Sequence, residues 1–314
     1  DVMLFAGFDA GQTKTRCRVC RWRGEHWQTL GEGLGHGVSH LDAAGGDERF
    51  RQAVLISLKT ALEGQADLRL DAAVIGASGI EQGTPLQPRA TALLADALSL
   101  PRSQTLATGD ERTALRGAFP DGDGIILISG TGMICIGRDR HGREHRCGGW
   151  GWMLDGAGSA FDLGHQGLQL TLQMADGRLP DHPLRQRMWE QLDCRSHADV
   201  KAWVVHPSRA AADLAALAPL LVEAADAGLP AAQKIVQHSA AALVYCAATV
   251  ARELALQKPA VTGVGGVLLH QGSVQRAVEE GIVAEIPNAS WAPAASDACW
   301  GALTMARELV LRRR

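Results

Sequence analysis

Apolar positions along the chain fall into short runs that close on glycine, alternating with stretches of helical spacing. Leu4 to Asp9 is an apolar run ending in a Gly-rich turn, and Cys17–Trp22 and Trp27–Gly33 follow at hairpin spacing, so three consecutive strands are predicted. From Asp47 the residues Phe50, Val54, Leu55, Leu58 and Leu62 recur with helical period, and Leu70–Ala77 then reads as a buried strand. Thr84–Leu98 is predicted helical, with Pro85 and Pro88 in its first turn; Gln104–Thr108 is a strand and Glu111–Phe119 a helix. The order is βββαβα.

At Gly124–Ser129 a second apolar strand ends in a Gly-rich turn, Gly130-Thr131-Gly132, and runs on into Met133–Arg138, echoing the opening. The halves therefore look like distant duplicates. A helix-rich stretch from Ser159 to Leu256 follows, then a strand at Ala260–Val264, a Gly pair, a helix near Ser273–Glu280 and a closing helix from Asp297. No Pro- or Ser-rich linker divides the chain, so pattern places the boundary near Phe119–Gly122, giving domains 1–119 and 120–296.

A length of 314 residues suits two modest domains, and 46% hydrophobic with 21% charged residues implies a packed core. With Lys+Arg 31 against Asp+Glu 34 and no basic run before Arg312–Arg314, neither a nucleic-acid nor a membrane footprint is indicated. The uncharged stretch Ser239–Ala251 is too short to span a bilayer. Seven scattered cysteines suggest free thiols in a reducing compartment, with the cytoplasm expected.

Three Gly-rich turns, each directly after an apolar strand, carry the main chemical signal: 7–15, Ser129–Gly132 and Gly263–Gly266. Glycine lets successive N–H groups aim at one anion, and threonine hydroxyls add donors, so polyphosphate is the natural ligand. None of the three completes a P-loop or a dinucleotide G-x-G-x-x-G. Asp9, ending its strand beside the first turn, could take magnesium or simply form the turn. Asp110, between a strand and a helix, reads equally as catalytic carboxylate or N-cap.

The order of these motifs resembles the N-acetylglucosamine/glucosamine kinase branch of the actin-like ATPase superfamily, related to the benzoyl-CoA reductase ATPase subunits, over nearly the whole chain. Asp9-Ala10-Gly11-Gln12-Thr13-Lys14-Thr15 resembles the first phosphate motif, with Ala10 and Gln12 at two glycine positions, and Ser129–Gly132 the second. The resemblance makes Asp110 the base, before Ala114-Leu115-Arg116-Gly117-Ala118, and Gly265-Gly266 the adenosine contact. It makes Gly35–His40, with Ser39 and His40, and Ser78-Gly79 sugar-facing. Gly148-Gly149-Trp150-Gly151 and Gly158-Ser159 resemble the segment that closes over the sugar, with Asp155 displaced by one residue.

What this resemblance implies is a two-lobed α/β, ribonuclease H-like fold, with duplicated domains flanking a cleft and the helix 297–314 packing back on the first. ATP would bind through Gly11, Gln12, Thr13, Lys14, Thr15, Gly130, Thr131, Gly132, Gly265 and Gly266, with magnesium near Asp9. The amino sugar would meet Ser39, His40, Ser78, Gly79, Asp110, Thr131, Gly149, Trp150 and Asp155, and receive the phosphoryl group on its 6-hydroxyl. A homodimer is expected. Two rival readings remain within the fold: an ATPase activator of an iron–sulfur dehydratase or reductase, and a non-catalytic sugar- or nucleotide-binding protein. Cys147 is the only cysteine expected near the central motifs, which disfavours the first rival.

Cys17 and Cys20 have redox-motif spacing but fall on opposite faces of a predicted strand. His141, His145 and Cys147 lack a fourth zinc ligand at the usual spacing. Of eight tryptophans, Trp150 and Trp152 are candidates for stacking on sugar; Trp22, Trp27, Trp189, Trp203, Trp291 and Trp300 are expected to pack.

Overall fold

In the computed structural model, described over residues 2–65 and 67–312, the chain forms two compact units, Asp1–Gly122 with Ala294–Arg314, and Asp123–Pro293. Arg313 and Arg314 of the basic tail lie outside the described residues.

The first unit runs β1 (Val2–Ala10), β2 (Lys14–Arg23), β3 (His26–His36), α1 (Gly46–Ala61), β4 (Ala72–Ala77), α2 (Leu86–Leu98), β5 (Thr105–Gly109) and α3 (Asp110–Ala118). The second runs β6 (Gly124–Ser129), β7 (Met133–Arg138), β8 (Glu144–Cys147), α4 (Ala160–Ala175), α5 (Pro183–Gln191), α6 (His197–Val205), α7 (Ala211–Ala215), α8 (Ala218–Asp226), α9 (Pro230–Glu253), β9 (Ala260–Val264), α10 (Gly266–His270), α11 (Gly272–Glu285) and β10 (Ser290–Trp291). The last helix, α12 (Ala298–Leu311), belongs to the first unit.

Each unit holds a five-stranded sheet in the same order, β3-β2-β1-β4-β5 and β10-β9-β6-β7-β8 read from the other end, so the echo seen in the sequence is a repeat of topology. In the first, β1 to β3 form an antiparallel meander and β4 and β5 run parallel to β1. Every residue of β4 is buried, as expected of a strand covered on both faces. Phe8, Ile75, Phe50 and Val54 pack on the face under α1, while Phe5, Val74, Leu303 and Ala306 pack under α12. Cys17 and Cys20 divide between these two layers, so they do not pair, and all seven cysteines are free thiols.

Several boundaries differ from the predicted ones. The strand predicted from Leu70 starts at Ala72, although Leu70 is buried. The helix predicted from Glu111 starts at Asp110, and Pro85 sits at the cap of α2 rather than within its first turn. The two edge strands β8 and β10 escape a hydrophobic pattern because one is a polar four-residue segment and the other has only two residues. Among the described residues no single helix is long and apolar enough to cross a membrane.

Candidate active site

In the first unit the carboxyl ends of β1, β4 and β5 lie side by side, with Asp9 opposite Gly76, Ala10 opposite Ala77, and Ala77 opposite Gly109. Ligands of parallel sheets bind off this end of the strands. Ser78 N donates to Ala10 O at 2.9 Å, Gly37 N to Thr13 O at 3.1 Å and Val38 N to Gly11 O at 2.9 Å. These bonds draw three loops around a cavity of about 450 Å³ lined by Gln12, Val38, Ser39, His40, Arg49, Ser78 and Gly79. The five predicted residues Gln12, Ser39, His40, Ser78 and Gly79 thus share one pocket, with Val38 of the predicted 35–40 loop among them, while Arg49 carries no signal in the sequence. The turn itself is Gly11–Thr13. Lys14 and Thr15 already belong to β2, and Thr15 is fully buried with its hydroxyl unpartnered.

Asp110 is the first residue of α3, and Gly109 holds the cap position without a side-chain cap bond. Asp110 is therefore not the N-cap residue, although its carboxylate still accepts from backbone N–H groups of the first helical turn. Burial pushes its pKa up, the charge and hydrogen bond of Glu111 push it further, and the backbone N–H groups of Asp110 and Glu111 pull it partly back. Glu111 is only 8% exposed, and its carboxylate lies where a Cβ at position 109 would go.

Asp9 is raised to about 6, by burial first and then by the charges of Asp110 and Asp297, against Arg16 and Lys14. Asp297 caps α12 by accepting from Trp300 N at 3.0 Å and is gripped by Arg18 through two bonds of 2.7 and 2.8 Å; Arg18 also pairs with Glu32. Burial pushes Asp297 up, but the Arg18 hydrogen bonds, the Trp300 N–H and the Arg18 and Arg16 charges outweigh it and hold the carboxyl below its usual range. Asp9 and Asp110 thus remain a pair of mutually repelling acids, a donor set that suits a divalent cation at Asp9.

In the second unit the turn after β6 is tied to the start of α4: Ala160 N donates to Gly130 O at 2.8 Å, Phe161 N to Thr131 O at 3.3 Å, and Ser129 Oγ to Gly158 O at 2.6 Å. Gly130 N closes the turn on Gly132 O at 2.9 Å, leaving Thr131 and Gly132 exposed. The turn after β9 meets it, because Gly265, at φ 91°, packs so closely on the Ser129 backbone that a Cβ would collide with the carbonyl oxygen. Gly130, Thr131, Gly132, Gly265 and Gly266 are thereby brought together without any carboxylate among them.

The segment 148–155 lies in the same unit. Trp150 is 60% exposed, stacked by the Arg146 guanidinium at 4.5 Å, and Arg146 also donates to Gly149 O at 2.7 Å. Trp152 packs on Phe161 at 5.0 Å. Asp155 sits close enough to Cys246 to raise that thiol. Contrary to the expectation that Cys147 stands alone, β8 sets it opposite Cys135 and α9 brings Cys246 beside it; burial and Cys147 push Cys246 up to about 12. Among the described residues, no cluster of three or more His, Cys, Asp or Glu could hold a metal ion. The other tryptophans pack: Trp22, Trp27 and Trp300 join edge to face, Trp189 donates to Thr171 Oγ1 at 2.9 Å, Trp203 takes the Arg209 guanidinium at 3.7 Å, and Trp291 lies on Gly263.

Residues 6–303 match the family model described as the BadF/BadG/BcrA/BcrD ATPase family. The chain belongs to this family. Two curated relatives are an N-acetylmuramic acid/N-acetylglucosamine kinase of Clostridium acetobutylicum, 28% identical over 204 residues, and an N-acetyl-D-glucosamine kinase of Dictyostelium discoideum, 29% identical over 187 residues. The matched stretches span 64% and 58% of this BadF/BadG-family chain, and 67% and 59% of the respective relatives. A solved structure from Chromobacterium violaceum, described as a candidate N-acetylglucosamine kinase, superimposes with a TM-score of 0.76 at 24% identity, covering 97% of this chain and 99% of the other. The fold is that of the actin-like ATPases, as the resemblance implied.

Proposed function

We propose that this family member transfers the γ-phosphoryl group of ATP to the 6-hydroxyl of an amino sugar, N-acetylglucosamine or glucosamine. The observation that carries this reading is Asp110: an uncapped, half-buried carboxylate at the end of β5, one strand from the Ser78–Gly79 turn that lines the polar cavity. Both curated relatives, named as kinases of such sugars, support it.

In this mechanism the deprotonated Asp110 accepts the hydroxyl proton as the sugar oxygen bonds to the γ-phosphorus. The bond from that phosphorus to the β,γ-bridging oxygen breaks, and ADP leaves. Phosphoryl transfer has a loose transition state, so the raised basicity of Asp110 matters less than its placement against the acceptor. Amides of the Gly11–Thr13 and Ser129–Gly132 turns are assigned to phosphate, and Gly265-Gly266 to the adenosine. Asp9 is the residue to hold magnesium, which when bound neutralises phosphate charge. The free thiols support a cytoplasmic setting, and we propose a homodimer there.

The test is a coupled ADP-release assay with Mg-ATP and a panel of N-acetylglucosamine, glucosamine, glucose and N-acetylmannosamine, run beside Asp110→Asn. Sugar-dependent ADP release that disappears in the variant supports the kinase. Sugar-independent ATPase would favour the activator reading.

A further inference from the structure

The second unit holds a cavity of its own, about 450 Å³, between α4 and α6. His165, Leu168 and Leu172 on α4, and His197, Val200 and Val204 on α6, line it at i, i+3, i+7 spacing, so one face of each helix turns toward the other. α4 packs on α5, α7, α8 and α9, and α6 fully buries only Val200, leaving Val204 39% exposed. The floor of the cavity is therefore aliphatic and partly open to water.

Its charge has one sign. No Asp or Glu lines the cavity, and Arg178 and Lys201 do. Arg178 is held by Asp176 at 2.8 Å, whereas Lys201 has no ion-pair or hydrogen-bond partner among the described residues. Gln169 Nε2, which can only donate, bonds His165 Nδ1 at 3.3 Å, so the His165 proton sits on Nε2.

A volume of this size suits a small molecule. The aliphatic floor calls for a hydrocarbon body, and one unpaired ammonium calls for a single negative charge at its end. From His165 to Gln173 the lining face of α4 runs about 12 Å, the reach of a medium-length alkyl chain. His165 also ties the cavity to the segment 148–155: its ring stacks on Phe161 at 5.2 Å, and Phe161 packs on Trp152 at 5.0 Å. We propose that the groove between α4 and α6 is an effector site for a medium-chain monocarboxylate, and that its occupancy is passed through His165 and Phe161 to Trp152. Such a site does not depend on the identity of the substrate in the first unit, so binding tests it directly.

Sodium octanoate, octanol and octylamine are titrated calorimetrically into the full chain below micelle-forming concentrations, for wild type, Lys201→Glu and Val204→Asp, with melting curves to confirm folding. Wild type is expected to take one octanoate, about tenfold tighter than octanol, with octylamine weaker still. Lys201→Glu lowers octanoate affinity by about tenfold or more and leaves octanol unchanged, while Val204→Asp weakens both. Octanoate changes the tryptophan fluorescence of wild type, and the change is lost in Trp152→Phe although octanoate still binds. Absence of saturable octanoate binding, equal affinity for octanoate and octanol, or an octanoate affinity that survives Lys201→Glu overturns the site. A fluorescence change missing from wild type, or undiminished in Trp152→Phe, overturns the relay.

Discussion

The two units use one sheet order for opposite electrostatic ends. At the carboxyl edge of the first, the charge of Asp110 raises Asp9 and that of Glu111 raises Asp110, with Asp297 close enough to add its charge at Asp9. At the corresponding edge of the second, the turns at Ser129–Gly132 and Gly265-Gly266 hold backbone and hydroxyl groups only. A shared topology thus fixes where a site forms, while the residues placed on the strand ends decide whether it does charge chemistry or cradles an anion through amides.

The largest effect expected from breaking this division is at Asp110. Asp110→Asn should lower kcat by about 10²–10⁴-fold, with nucleotide affinity measured by calorimetry largely retained; loss of both together would show that the residue holds nucleotide rather than a proton. Next is Gly265→Ala at the carboxylate-free turns of the second unit. It forces a Cβ against the Ser129 carbonyl at a positive φ and should cost about 1–3 kcal/mol of stability, with a weaker affinity for an ATP analogue. An unchanged melting curve would contradict the close packing of the two turns.

Asp9 offers a test of opposite sign. Its carboxyl titrates near 6 in the fold against 3.8 unperturbed, so between those values the folded state holds a proton the unfolded state has lost, and stability falls as pH rises. At pH 7.5 Asp9→Asn should therefore stabilise the apoprotein by about 1–3 kcal/mol, while removing the thermal shift that magnesium with ADP gives the wild type. The smallest effect is at Glu111. Burial and Glu111 both raise Asp110, so activity should climb with pH well above the usual carboxylate range. Glu111→Gln removes the like charge and should move that acid limb down by about one pH unit; an unmoved limb would show that burial alone sets it.

Much of this was readable beforehand because strands and turns announce themselves locally. The continuous apolar run of β4 and the Gly-rich ends of β1, β6 and β9 each sit in a few adjacent residues, and they located the strand edges where Asp9, Asp110 and Ser129 lie. What escaped depends on contacts between distant positions. Arg49 looks like any charged residue on the outer face of an amphipathic helix until the loops at 38–40 and 78–79 close beside it. Glu111 reads as a favourable acid in a first helical turn, with no hint that it leans on its neighbour. Cys246 meets Cys147 only through α9, a contact between distant positions that no local pattern shows.

The return of α12 to the first unit has a consequence for the order in which the protein comes into being. The chain must pass through the entire second unit before Asp297 is synthesised, and with it the helix that covers Phe5, Val74 and the inner face of the first sheet. Arg18 waits for its partner across 279 positions. On the ribosome the segment made second is therefore the first that can be finished, and the carboxylate edge gains the charge of Asp297 only after the whole second unit has been made.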